Sequence, residues 1–173
     1  MKAVLISIQP KWCELIASGK KTVEVRKTKP KLETPFKCYI YCTNWKDNTY
    51  WANHYKGKLG KVIGEFLCDG IITARSGCYC KIPPALSQVD ALDLMDYADG
   101  KPVYGWHITD LVIYDKPREL GDFKNKCDGL CYDNSVGFKC PSLMREDCKK
   151  HLKPIKRPPQ SWCYVERSNE NGE

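Results

Sequence analysis

Apolar positions in this chain recur mostly at a spacing of two, interrupted where the spacing lengthens to three and four. Residues 2–8 are a short apolar run and predict a strand. A helix over 10–18 follows: Pro10 suits the first helical position, where its missing N–H costs nothing, and Gly19 suits the left-handed position just past the end. Trp12, Cys13, Leu15 and Ile16 give that helix one apolar stripe. From Thr22 the period returns to two, so a strand over 22–27 sets Val23 and Val25 on one face and Thr22, Glu24 and Arg26 on the other. Residues 36–42 make a third strand. The apolar run 61–75 contains Gly64 and Gly70, which predict bulges or corners of a curved sheet. Ser87 with Asp90 resembles a capping signal, and Leu86, Val89, Leu92 and Met95 then mark a helix ending before Asp99 and Gly100. Residues 104–114 and 162–166 return to strand spacing. Five or six strands with two or three helices predict an α+β chain, mainly β, folded as a small closed or nearly closed barrel with helices plugging its ends.

One segment carries candidate chemistry. Lys20, Lys21, Glu24 and Arg26 gather at the helix-to-strand junction, where such a set can bind a phosphate, polarise a carbonyl or move a proton. The same residues can equally be a solvated ion pair at a sheet edge, worth ~0–1 kcal/mol and nothing to function. The apolar strand, the helix opening Pro10-Lys-Trp12, the run from Gly19 to Arg26, a later apolar strand and a closing aromatic strand together resemble the activating signal cointegrator homology (ASCH) domain, a branch of the PUA-like superfamily. The likeness is sharpest over residues 7–26, with further support from Gly105-Trp106 and from 158–162. It implies one PUA-like barrel domain over 1–167. It also implies a basic cleft lined by Lys20, Lys21, Thr22, Glu24 and Arg26, with Trp12 and Trp106 as walls, that recognises RNA or a modified nucleoside.

Catalysis is the rival reading. Some ASCH relatives look like amidohydrolases acting on acylated cytidine through a lysine, a threonine and a glutamate, and others resemble metal-dependent ribonucleases. Lys21 matches the lysine, but Glu24 stands where the threonine would, and the separate glutamate has no assigned counterpart. In a hydrolase Lys21 would be the nucleophile or base and Glu24 the proton shuttle. A third reading, an accessory protein of a phage or mobile element acting through an unknown protein partner, is neither supported nor excluded.

At 173 residues the chain suits one domain with a real core. A net charge of +7 favours polyanionic partners without making nucleic acid the only sensible one. No export signal and no apolar span of membrane length stand out, and eleven cysteines, an odd number, fit a reducing cytoplasm better than a disulfide framework. Residues 43–59 read as an inserted loop in which Trp45, Tyr50, Trp51 and Tyr55 interleave with Lys46, Lys56 and Lys58. Such residues can clamp single-stranded nucleic acid or simply pin a long loop to the body.

Near the carboxyl end, Cys127, Cys131, Cys140 and Cys148 mark a Cys-rich insertion over 127–148 that a structural Zn2+ can order, with His151 as a spare ligand. Free thiols and disulfides are the competing readings. Cys78 and Cys80, one residue apart, are awkward for a bidentate metal site and read as packed or free thiols. Lys149, Lys150, Lys153, Lys156 and Arg157 form a basic run that can extend a positive rim. His54, His107 and His151 read as structural, and 168–173 as a disordered tail.

Overall fold

Strand β1 (Lys2–Ile8) is central in the molecule, because both of its faces are apolar: every residue from Ala3 to Ile8 is buried. The structure, a computed structural model, describes residues 2–44, 54–125, 132–133, 138–139 and 152–166. Helix α1 (Pro10–Ala17) follows, with Pro10 in its first turn, and Gly19 at φ +73 ends it as expected. Next come β2 (Val23–Arg26), β3 (Phe36–Cys42), β4 (Val62–Cys68), β5 (Ile71–Ala74), a 3-10 turn at Tyr79–Lys81, α2 (Pro84–Ser87) and α3 (Ala91–Ala98). The chain continues through β6 (Val103–His107), β7 (Thr109–Arg118), β8 (Lys124–Asn125), β9 (Tyr132–Asp133), β10 (Phe138–Lys139), β11 (Lys153–Pro154) and β12 (Trp162–Glu166).

Five strands form one sheet in the order β12-β1-β3-β4-β7, and β2-β6-β5 form another. β1 and β3 run parallel, and the other neighbours in both sheets are antiparallel. Alternation sorts the large sheet's side chains. Val4, Ile6, Ile8, Cys38, Ile40 and Cys42 pack with α1 and Trp106, whereas Ala3, Leu5, Tyr39 and Tyr41 pack with Phe123 and Ile155 on the opposite face. A third apolar cluster joins Val23 and Val25 of β2 to Ile82, Leu94 and Ala98.

The fold is α+β, mainly strands, with three helices among the described residues, but the expected barrel closure is not found: no ladder joins the two sheets into a cylinder there. The chain passes between the sheets from β1 to β2 through α1, from β2 to β3, and at two tight corners, Asp69–Gly70 from β4 to β5 and Ile108 from β6 to β7. The other side stays open between β2 and β12. There Arg26 Nη2 donates to Ser7 O at 2.5 Å, and the residues leading to β12 include Pro158 and Pro159, which have no N–H to offer a ladder. Gly64 fulfils its expected role. The β4 pairing slips beside it, and a Cβ there would collide with the Val112 carbonyl.

The second helix departs from its expected phase. Its cap is Asp90, whose Oδ1 accepts from Asp93 N at 2.8 Å, and Ser87 instead ends α2. Starting at Ala91 rotates the buried stripe onto Leu94 and Ala98, leaving Leu86, Leu92 and Met95 exposed. The Cys-rich stretch with Cys127, Cys131, Cys140 and Cys148, the spare ligand His151, Lys149 and Lys150, the tail 168–173 and loop residues 45–53 lie outside the described residues. Of the loop's aromatics, Tyr55 is buried against the main core, pinning the loop's end.

Candidate functional site

A cavity of about 660 Å3 opens on the unclosed side, between β2, α3 and the segment before β12. The alternation of β2 sends Val23 and Val25 into the apolar cluster under α3 and turns Glu24 the other way, opposite Trp106 in the β2–β6 register. Lys21 precedes the strand and is only 2% exposed, and Glu24 is 5% exposed. A carboxylate this buried is not the solvated edge pair of the alternative reading. Glu24 is held between two cations, Arg26 Nη2 at 3.0 Å from Oε1 and Lys21 Nζ at 3.4 Å from Oε2.

Each cation is also tied to a carbonyl. Lys21 Nζ donates to Ser87 O at 2.5 Å and lies 4.9 Å from the Trp12 ring centroid, so α1 and α2 both position it. Arg26 donates to Ser7 O, which anchors β2 to β1 across the open seam. Two polar atoms of the cluster remain buried without a hydrogen-bond partner, Glu24 Oε2 and Arg26 Nε. Burial lowers the Lys21 pKa below its ordinary value, Glu24 opposes that by favouring the ammonium, and Arg26 adds to the lowering.

Of the expected site residues, Trp12, Lys21, Glu24 and Arg26 line the cavity, while Lys20 is exposed and Lys20 and Thr22 are outside its lining. Trp106 is not a wall. It is fully buried and packs against Phe36 and Trp162, with ring centroids 5.7 and 5.9 Å away, because the space beneath β2 is core. Sequence reasoning did not find Ser7, Asn44, Asp93, Tyr97 and Gln160 in the lining. Asp93 is the one with a local signal, an acid in the first turn of a helix, but that signal is explained by the macrodipole alone. Lys156 and Arg157 are exposed just before the Pro158–Gln160 wall. His107 pairs through Nδ1 with Asp69 at 2.7 Å, a structural arrangement outside the cavity lining. Among the described residues no group of three or more His, Cys, Asp or Glu side chains is placed to hold a metal, and no helix is long and apolar enough to cross a membrane.

A mainly β fold with two sheets open along one seam, and a charged cavity at that seam beside a helix-to-strand junction, is similar to the PUA-like fold. Residues 6–82 match the family model of the ASCH domain. The wider fold is similar to the ASCH protein of Zymomonas mobilis, at 20% identity and TM-score 0.60, over 95% of this chain and 88% of that one. Two mutants of that protein are similar in the same way. One, a Tyr-to-Phe mutant, is 20% identical with TM-score 0.60 over 96% and 92% of the two chains. The other, a Ser-to-Ala mutant, is 19% identical with TM-score 0.60 over 95% and 89%. No curated protein matches the chain.

Proposed function

We propose that the cavity recognises a nucleoside, free and modified or as an unpaired nucleobase of RNA. The observation that carries this reading is Glu24 Oε2, a buried carboxylate oxygen with no hydrogen-bond partner at a cavity walled by Trp12. A carboxylate accepts well from the exocyclic amine of a base, and an aromatic face supplies stacking. The cavity volume is within the usual range for small-ligand sites. Its charges also favour a base over a phosphate: Lys21 and Arg26 are matched by Glu24 and Asp93 in the lining, and both cations are already committed to carbonyls.

A second reading is hydrolysis of the ASCH type. The lowered pKa of Lys21, with Glu24 beside it to take a proton, favours it. Incubation with a nucleoside panel that includes acylated cytidine, and with short single-stranded RNA, followed by mass spectrometry of retained ligands and products, separates the two. Retention without conversion, lost in Glu24→Gln and Trp12→Ala, is the expected result. Product that disappears in Lys21→Ala would put the hydrolase first, and neither retention nor product would remove the nucleoside reading.

A further inference from the structure

We propose that Cys78 and Cys80 form a thiol–disulfide exchange site for a small anionic disulfide of the glutathione class, with Arg75 and Lys81 receiving its carboxylates. The two sulfurs lie 3.6 Å apart, Cys80 exposed and Cys78 partly so, at the 3-10 turn of Tyr79–Lys81. Beside them is a recess of about 430 Å3 lined by Thr73, Arg75, Cys78 and Lys81, with no acidic side chain in its lining. The other described cysteines do not compete. Cys13, Cys38, Cys42 and Cys68 are buried, and burial pushes the thiols of Cys68 and Cys163 up to about 12 and about 11. The pair is also no closed metal site, since the described residues near it supply no third ligand.

The reaction balances within the pair and its reagent. Cys80, the more exposed sulfur, attacks one sulfur of the incoming disulfide as a thiolate; a bond forms between Cys80 Sγ and that sulfur, the reagent's S–S bond breaks, and one glutathione thiolate leaves. The thiol of Cys78 is held up by its hydrogen bond to and charge from Cys80, so it keeps its proton through this step. Cys78 then loses that proton to water and attacks Cys80 Sγ, closing the Cys78–Cys80 bond and expelling the second glutathione thiolate. The protein dithiol is oxidised by two electrons and one disulfide is reduced to two thiols. Closure brings the sulfurs to about 2.05 Å, within reach of rotation of two accessible side chains. A ring spanning one intervening residue removes little chain entropy and is readily reduced again, which suits a reversible modification rather than a structural bond.

The test uses the full chain equilibrated in mixtures of reduced and oxidised glutathione, quenched with N-ethylmaleimide and digested with trypsin. Cleavage after Arg75 and Lys81 releases residues 76–81, which hold these two cysteines and no other. The expected peptide is unalkylated and lighter than the dithiol by two hydrogens, and Cys78→Ser should instead trap a glutathione adduct on Cys80. Oxidised glutathione should react about tenfold faster at low salt than neutral bis(2-hydroxyethyl) disulfide, each corrected for its rate with N-acetylcysteine amide, and high salt should erase the difference. A doubly alkylated peptide at every ratio, or an adduct in the unmodified protein that never closes, would overturn the exchange site. Equal corrected rates would overturn the role of Arg75 and Lys81.

Discussion

Among the described residues two lysine–glutamate pairs are sunk into the fold, and they are finished differently. In the large sheet, Lys37 of β3 and Glu65 of β4 meet at 2.6 Å, and Tyr114 of β7 donates to the second oxygen of Glu65 at 2.5 Å. Both carboxylate oxygens are used, and the network stitches three adjacent strands. At the open seam, Lys21 and Glu24 stand 3.4 Å apart and Glu24 Oε2 has no hydrogen-bond partner. A buried polar atom without a hydrogen bond costs up to about 1–3 kcal/mol, and the Lys21 ammonium at 3.4 Å offsets only part of that for Glu24 Oε2, which leaves the oxygen open to a donor from the cavity. The same pair of residue types is a strut in one place and, in the function proposed above, a binding surface in the other.

The sharpest way to break the comparison is to remove each carboxylate. Glu65→Ala takes the carboxylate from the Lys37 ammonium, whose side chain is 9% exposed, and the acceptor from Tyr114, so unfolding free energy should fall by about 3 kcal/mol in urea titrations. Glu24→Gln keeps an oxygen for Arg26 and should cost less stability than that. Its effect should appear in binding, a loss of about 10–100-fold in nucleoside affinity by calorimetry, the scale of one hydrogen bond to a charged group. If Glu24→Gln destabilises as much as Glu65→Ala and leaves nucleoside retention intact, the two pairs are both struts. Tyr114→Phe is the smaller probe of the closed network. It should cost about 1 kcal/mol and leave nucleoside retention unchanged, because Tyr114 is on the other sheet and outside the cavity lining.

The open pair was legible in the sequence and the closed one was not. Pro10, Gly19 and the switch of period at Thr22 are local signals, and they place Trp12, Lys21, Glu24 and Arg26 within one short stretch of chain. Lys37, Glu65 and Tyr114 come from three strands whose register is fixed by distant packing, and nothing in each strand's own pattern announces the meeting. The same limit hid Ser7, Tyr97 and Gln160, which join the cavity from β1, α3 and the approach to β12. Barrel closure failed for a related reason. Strand count and internal glycines describe curvature, whereas the seam between β2 and β12 is spanned by a side-chain contact, Arg26 to Ser7 O, between residues far apart in sequence. Trp106 was misplaced because a tryptophan opposite Glu24 in register can face a cleft or a core, and only the packing of Phe36 and Trp162 around it decides.

The finest test of the difference is the pH dependence of stability, where Lys21 should leave a mark of known sign. Burial holds its pKa below the ordinary 10.5, with Glu24 pulling against that and Arg26 reinforcing it. Between the folded-state value and 10.5 the unfolded chain therefore binds more protons at this position than the native one. Stability contributed by Lys21 must then rise with pH across that window, and the penalty for burying its ammonium is fully present below it. The measurement is the difference in unfolding free energy between the unmodified protein and Lys21→Met, followed through the alkaline range so that titrations shared by both proteins cancel. The difference should move in favour of the lysine as pH rises and level off once the unfolded lysine titrates. A difference that runs the other way would mean that Glu24 outweighs burial, making the seam pair a closed ion pair like Lys37–Glu65 and removing the ground for a reactive Lys21.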